Sequence, residues 1–210
     1  MRYEIITACN QTLHSQYASK SIATWQHTPI VYWQGDVIDP RWDQWRTMAR
    51  GYETGRFERE CVRFSHKVQA QITHMRKSTA DYVVWLDADI VQHTEYTEQQ
   101  FQDLMPGPDE LFTFLDRQPV KYAETGWIAY NMSHPRLKEF LRRVEDMYMN
   151  REIFGLQQTH DAFVWDHIRQ RGNYPGRNLC TNPKAAEPFE HSDLKQFFRH
   201  HKGPRKAQIK

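Results

Sequence analysis

The sequence predicts an α/β domain built on a mostly parallel central sheet flanked by helices. Three observations carry that expectation. Strand-like apolar runs alternate with helix-like stretches along the chain. One five-residue run, Tyr82-Val83-Val84-Trp85-Leu86, is apolar throughout, as a strand covered on both faces has to be. Just before it, Phe57, Cys61, Phe64, Val68, Ile72 and Met75 recur every three or four residues, one stripe of a long helix.

Taken in order, residues 3–8 form a short apolar stretch suited to a buried strand. Leu13, Tyr17, Ile22 and Trp25 then recur at roughly helical spacing, which predicts a helix over residues 12–25. A second strand is expected over residues 29–33, ended by Gln34-Gly35-Asp36. The Trp-rich, Pro-containing segment 39–55 has no clear period and reads as a loop with short turns. The long helix covers residues 53–77, and Lys67 lies beside its apolar stripe, where it would run along the surface toward a cleft.

After the strand ending at Leu86, Thr97-Glu98-Gln99-Gln100 has capping-box form and starts a short helix through Leu104, stopped by Pro106-Gly107-Pro108. Residues 111–115 and 127–130 are two further strand candidates. Ser133, with Pro135 in the first turn, should open a helix on which Leu137, Phe140, Leu141, Val144 and Tyr148 share a face. Thr159 should cap another, carrying Phe163, Val164 and Ile168. Beyond Gly172 the chain is rich in Pro, Asn and Gly until the apolar pair Phe197-Phe198.

Composition narrows the function classes. At 210 residues a single domain over 1–210 is expected. The 13% aromatic content argues against disorder. No apolar run approaches the ~18 residues of a membrane span, and the N-terminus lacks a signal-like apolar region, so a cytoplasmic protein is expected. Cys9, Cys61 and Cys180 are widely separated and read as reduced thiols. A net charge of +2 is small for a nucleic-acid binder, and no nucleic-acid partner is expected. The charge is uneven: residues 191–210 carry six Lys or Arg against one Asp, which makes the C-terminal segment the basic part.

Chemistry concentrates at Asp87-Ala88-Asp89. Two carboxylates one residue apart, where a buried strand emerges, repel each other and call for a cation. Carboxylates favour hard divalent ions such as Mg²⁺ and Mn²⁺, and open α/β sheets bind ligands at the carboxyl ends of their strands.

The run Tyr82 to Ile90 resembles the Asp-x-Asp strand end of nucleotide-sugar glycosyltransferases with the Rossmann-like GT-A fold, and the small size resembles stand-alone bacterial or phage enzymes. The resemblance extends in order through Thr7-Ala8-Cys9-Asn10, Glu124-Thr125-Gly126-Trp127, Thr159-His160-Asp161 and the terminal His200-His201-Lys202-Gly203-Pro204-Arg205-Lys206. His200, Gly203 and Lys206 match the His-x-x-Gly-x-x-Lys spacing near the C-terminus of glycogenin-like and lipopolysaccharide-sugar transferases. There the His ligates the metal and the Lys holds the donor diphosphate. Ala207-Gln208 stands where that subgroup usually has Pro-Trp, which leaves the stereochemistry open.

The resemblance implies transfer of a hexose from a nucleoside diphosphate sugar, with UDP favoured, to an acceptor that is not identified. It implies Mn²⁺, with Mg²⁺ the other candidate, bound by Asp87, Asp89 and His200; His201 and His191 compete for the imidazole role. Thr7, Ala8, Cys9 and Asn10 would hold the nucleoside, and Asp87 and Ala88 would also meet the donor. Lys67 would stand near the nucleotide, while Lys202, Gly203, Arg205 and Lys206 would meet the diphosphate as the basic segment 191–210 closes over it. Asp161 and Glu124 would be the catalytic carboxylates, on the acceptor or donor-sugar side, one of them a general base if the reaction inverts. Trp127 would stack on sugar or join the core; Trp85, inside the strand, would be core. Two alternatives share some of these features: a haloacid-dehalogenase-like phosphatase, whose nucleophile motif is also a strand followed by Asp-x-Asp, and a non-catalytic nucleic-acid or carbohydrate-binding module.

Overall fold

In the computed structural model, residues 1–35, 39–119, 121–182 and 187–209 are described. The expected end of the second strand at Asp36 and the last basic residue, Lys210, fall outside them. The strands are β1 (Tyr3–Cys9), β2 (Ile30–Trp33), β3 (Tyr82–Leu86), β4 (Ile90–Gln92), β5 (Phe112–Leu115), β6 (Glu124–Asn131), β7 (Gly176–Asn178) and β8 (Phe198–His200). The helices are α1 (Gln11–Leu13), continued through a π-helical stretch into α2 (Ser19–Ile22), then α3 (Pro40–Ala49), α4 (Cys61–Met75), α5 (Glu98–Gln102), α6 (Leu137–Met149) and α7 (Asp161–Arg171).

Six strands form a sheet in the order β2-β1-β3-β6-β5-β7, and β4 pairs with β8 in a small separate sheet. Within the main sheet only β6 runs against the others, so the sheet is mostly parallel as expected. That reversal matters for the site. The antiparallel register sets Leu86 opposite Trp127, so the start of β6, carrying Glu124 to Gly126, lies beside the end of β3, carrying Asp87.

Alternation along β3 explains its uninterrupted apolar run. Val83 and Trp85 join the core under α3, α4, α6 and α7, and Val84 and Leu86 join the core on the opposite face. On β6, Ile128 and Tyr130 take the first side, and Trp127 and Ala129 the second. Both Trp85 and Trp127 are therefore core residues, and stacking of Trp127 on sugar is overturned by its complete burial.

Four local expectations are corrected. Within the segment read as a loop, residues 40–49 are helix α3: Pro40 occupies the first turn, where its missing N–H costs nothing, and the Asp39 carboxylate accepts from Arg41 N at 3.0 Å. Trp42, Trp45 and Ala49 then face the core. The long helix begins at Cys61 rather than Glu53, and Glu53 instead folds back to accept from Val62 N. Phe57 precedes it in a 3₁₀ turn and is exposed. Ser133 does not cap α6; its hydroxyl donates to Asn131. Thr159 hydrogen-bonds the Glu58 carbonyl, and His160 is the residue that caps α7.

Candidate active site

The site forms where β3 ends, β6 begins and the C-terminal segment returns. Asp87 is anchored first. Its amide donates to the Gly126 carbonyl at 2.9 Å, and its Oδ1 accepts from the Trp85 indole at 2.7 Å and from Lys67 Nζ at 2.9 Å. Oδ2 of Asp87 lies on the side of His200, at 4.0 Å from its Nε2.

Lys67 does not run along the surface. Its ammonium is buried, donates to the Thr125 carbonyl at 2.8 Å, and lies 2.8 Å from Asp161 Oδ2. Burial alone would lower its pKa, but the carboxylates of Asp161 and Asp87 outweigh that cost and raise it. The stripe positions of α4 could not reveal this, because the reach of a Lys stem inward depends on the two carboxylates that receive it.

His200 arrives through the pairing of β8 with β4, which sets it opposite Ile90 and hence beside Asp89. Its Nε2 stands 2.9 Å from Asp89 Oδ1. Yet Asp89 Oδ1 and His200 Nδ1 are both buried without a hydrogen-bond partner. The facing pair, Asp89 Oδ1 and His200 Nε2, has the proximity of two ligand atoms aimed at a common cation. One ligand atom each from Asp87, Asp89 and His200 lies within 4.8 Å of the others. These oxygen and imidazole donors fit a divalent ion such as Mn²⁺. The competing imidazoles stand elsewhere: His201 uses Nδ1 at the Arg205 carbonyl, and the His191 side chain is exposed.

Asp89 is itself buried, which would favour its neutral form, but the nearby His200 and then Lys206 hold its carboxyl well below the usual range. Lys206 Nζ is 2.7 Å from Asp89 Oδ2 and sits over the Tyr17 ring at 4.9 Å. Glu124 is buried and ion-paired with Lys202, and Arg117 lies 3.8 Å away. Against the cost of burial, Lys202, His200 and Arg117 push its pKa down to about 2. Asp161 is likewise kept ionised: burial opposes this, and Lys67 overrides burial. Both carboxylates foreseen as catalytic are thus present at the site, each locked to a cation.

The remaining foreseen residues are placed unevenly. Thr7 and Cys9 are buried in β1, and burial raises the Cys9 thiol pKa. Asn10 caps α1 by accepting from Leu13 N at 2.8 Å and donates to Gln34. Ala8 lines a small cleft with Tyr32, Trp33, Gln34, Gly35 and His66. Ala88 packs with Cys9, Tyr17, Ala18 and Ile209. Gly203 has φ +55°, a left-handed turn between His200 and Lys206, and Arg205 pairs with Glu187 at 2.5 Å.

Sequence reasoning missed Arg117, Phe189 and the role of Gly126. A Cβ on Gly126 would stand 2.8 Å from His200 Cε1 and 3.2 Å from Phe189 Cε2, so the bare glycine makes room for the imidazole. A glycine inside an otherwise apolar strand is a signal of such close approach. Nothing in the sequence signals Phe189, whose ring meets His200 edge to face at 5.1 Å.

No protein-family model and no curated protein matches the sequence. Solved structures do match. A glycosyltransferase involved in the glycosylation of the major capsid of PBCV-1 is 15% identical, with a TM-score of 0.60 over 100% of this chain and 98% of that one. Mouse xyloside xylosyltransferase 1 in its apo form is 11% identical, with a TM-score of 0.51 over 86% of each chain. The galactosyltransferase LgtC, in complex with donor and acceptor sugar analogues, is 13% identical, with a TM-score of 0.50 over 96% of this chain and 87% of that one. The fold is that of the GT-A glycosyltransferases. Among the described residues no helix is long and apolar enough to cross a membrane.

Proposed function

We propose that the chain is a glycosyltransferase that moves a hexose from a nucleoside diphosphate sugar, a UDP-sugar above others, to an acceptor, using a divalent ion held by Asp87, Asp89 and His200. The observation that carries this reading is the convergence of those three ligand atoms within 4.8 Å, with Asp89 and His200 buried, on a fold shared with glycosyltransferases.

A bound Mn²⁺ or Mg²⁺ would supply Lewis-acid neutralisation of the diphosphate. The chain's own residues do the rest. Lys67 and the Trp85 indole fix Asp87, so the ligand set is held before substrate arrives. Lys202 and Lys206 bring positive charge to where the departing diphosphate gathers negative charge, which is the form of electrostatic help that supplies the largest catalytic contribution. The segment 191–209 acts as the closing element that excludes water.

Glu124 and Asp161 serve to orient cations and sugar hydroxyls. Their ion pairs keep them ionised and weakly basic, whereas a general base works best with a pKa near the operating pH. The cleft at the carboxyl ends of β1 and β2 suits an uncharged nucleobase: it is walled by Tyr32 and Trp33, and burial pushes the His66 pKa down to about 4, so its imidazole is neutral.

The fold favours this reading over the phosphatase and over a non-catalytic binding module. A donor-hydrolysis screen across UDP-, GDP- and TDP-sugars with Mn²⁺, Mg²⁺ or chelator tests it. Metal-stimulated release of a nucleoside diphosphate, lost in Asp89→Asn and His200→Ala, is the expected result. Unchanged rates in both variants would remove the site, and a phosphoenzyme trapped at Asp87 would favour the phosphatase.

A further inference from the structure

Lys206 is foreseen as a partner of the donor diphosphate, yet its ammonium is 2.7 Å from Asp89 Oδ2. Asp89 thus has Lys206 at one oxygen and His200 Nε2 at the other. The segment that carries Lys206 is held at both ends. His200 pairs with Ile90, and Ile209 is buried among Cys9, Tyr17, Ala18 and Ala88. Between these anchors, Gly203 turns with φ +55°, a left-handed conformation that suits glycine, into the 3₁₀ turn Gly203–Gln208 that carries Lys206. The Lys206 ammonium also lies over the Tyr17 ring and donates to its hydroxyl at 3.3 Å.

We propose that Lys206 is a tethered counter-ion for Asp89 that competes with the divalent ion and is released by it. Resting on the metal-dependent reading above, this couples two events at one carboxylate. Before the ion binds, the ammonium neutralises Asp89 and spares the fold a buried unpaired charge. When the ion takes Asp89, the displaced ammonium is free to meet the diphosphate. The positive charge needed at the leaving group is then delivered only to a metal-loaded site, and metal and nucleotide bind cooperatively.

The test is Mn²⁺ titration by calorimetry, without nucleotide, of the wild type, Lys206→Met, Lys202→Met and Asp89→Asn. In parallel, acetylation of the Lys206 amine is followed by mass spectrometry with and without Mn²⁺. The proposal expects Lys206→Met to bind Mn²⁺ at least about fivefold tighter than wild type, the lower end of typical coupling. Lys202→Met removes the same charge from the Glu124 side and should change Mn²⁺ affinity less. Lys206 in the wild type should become more reactive on adding Mn²⁺.

Equal or weaker Mn²⁺ binding by Lys206→Met, with wild-type binding still abolished by Asp89→Asn, would overturn the tether and leave the metal reading intact. Wild-type Mn²⁺ binding no different from that of Asp89→Asn, with UDP present or absent, would overturn both.

Discussion

Replacing Gly126 with Ala probes how the imidazole reaches the site. The added Cβ would stand 2.8 Å from His200 Cε1 and 3.0 Å from Nδ1, where ordinary contact begins at 3.4 Å, so the ring has to retreat by about 0.6 Å. It has little room. Phe189 closes one side at 3.2 Å from the new methyl group, and Asp89 Oδ1 faces Nε2 at 2.9 Å. Both rings are buried, so the strain belongs with overpacked cores, at about 1–3 kcal/mol. A shift of this size would also move a proposed metal ligand out of register with Asp87 and Asp89, so Mn²⁺ affinity should fall. The assay is urea unfolding and Mn²⁺ calorimetry on Gly126→Ala, His200→Ala and the double variant. In the His200→Ala background the methyl group has space, so its stability cost should largely disappear. An equal cost in both backgrounds, or Gly126→Ala with wild-type Mn²⁺ affinity, would refute the reasoning.

Other expectations follow from the same geometry. Lys67→Met strands Asp87 and Asp161 without their shared cation and should cost about 3–5 kcal/mol in urea unfolding, with Lys67→Arg recovering part of the loss. Glu124 has its folded pKa depressed from 4.5 to about 2, so its contribution, about 3 kcal/mol, is complete above about pH 4.5 and is lost as pH falls toward 2. Unfolding series across that acid window should fall less steeply in Glu124→Gln than in wild type. His201→Ala should leave Mn²⁺ affinity within about threefold, because its ring is engaged at the Arg205 carbonyl, whereas His200→Ala should lose at least about tenfold.

What was legible in the sequence is what depends on local pattern. The strand at 82–86 announces itself because both of its faces are buried, and the helix ending at Met75 because one of its faces is. The Asp-x-Asp pair follows directly from the end of that strand. His200 was legible only through the resemblance of His200, Gly203 and Lys206 to a glycosyltransferase motif, and the means of its delivery, three residues of β8 pairing with three of β4, is too short to leave a periodic trace. The helix at Pro40 was hidden because proline reads as a breaker unless it falls in the first turn. Lys67 was misdirected toward the surface because a charged side chain beside an apolar stripe has no local reason to turn inward. Its reason is Asp87, twenty residues on, and Asp161, farther still. Glu124 and Asp161 were found as candidates by type and order, whereas their ion pairs, which decide their chemistry, are tertiary facts.

Crystals grown with Mn²⁺ and UDP and measured at the manganese absorption edge decide whether these three side chains, Asp87, Asp89 and His200, hold the ion. One anomalous peak bounded by Asp87, Asp89 and His200 is expected, with Lys206 moved off Asp89 and onto phosphate. Nucleotide bound with no peak among those three side chains, or a peak that persists unchanged in Asp89→Asn, would contradict it.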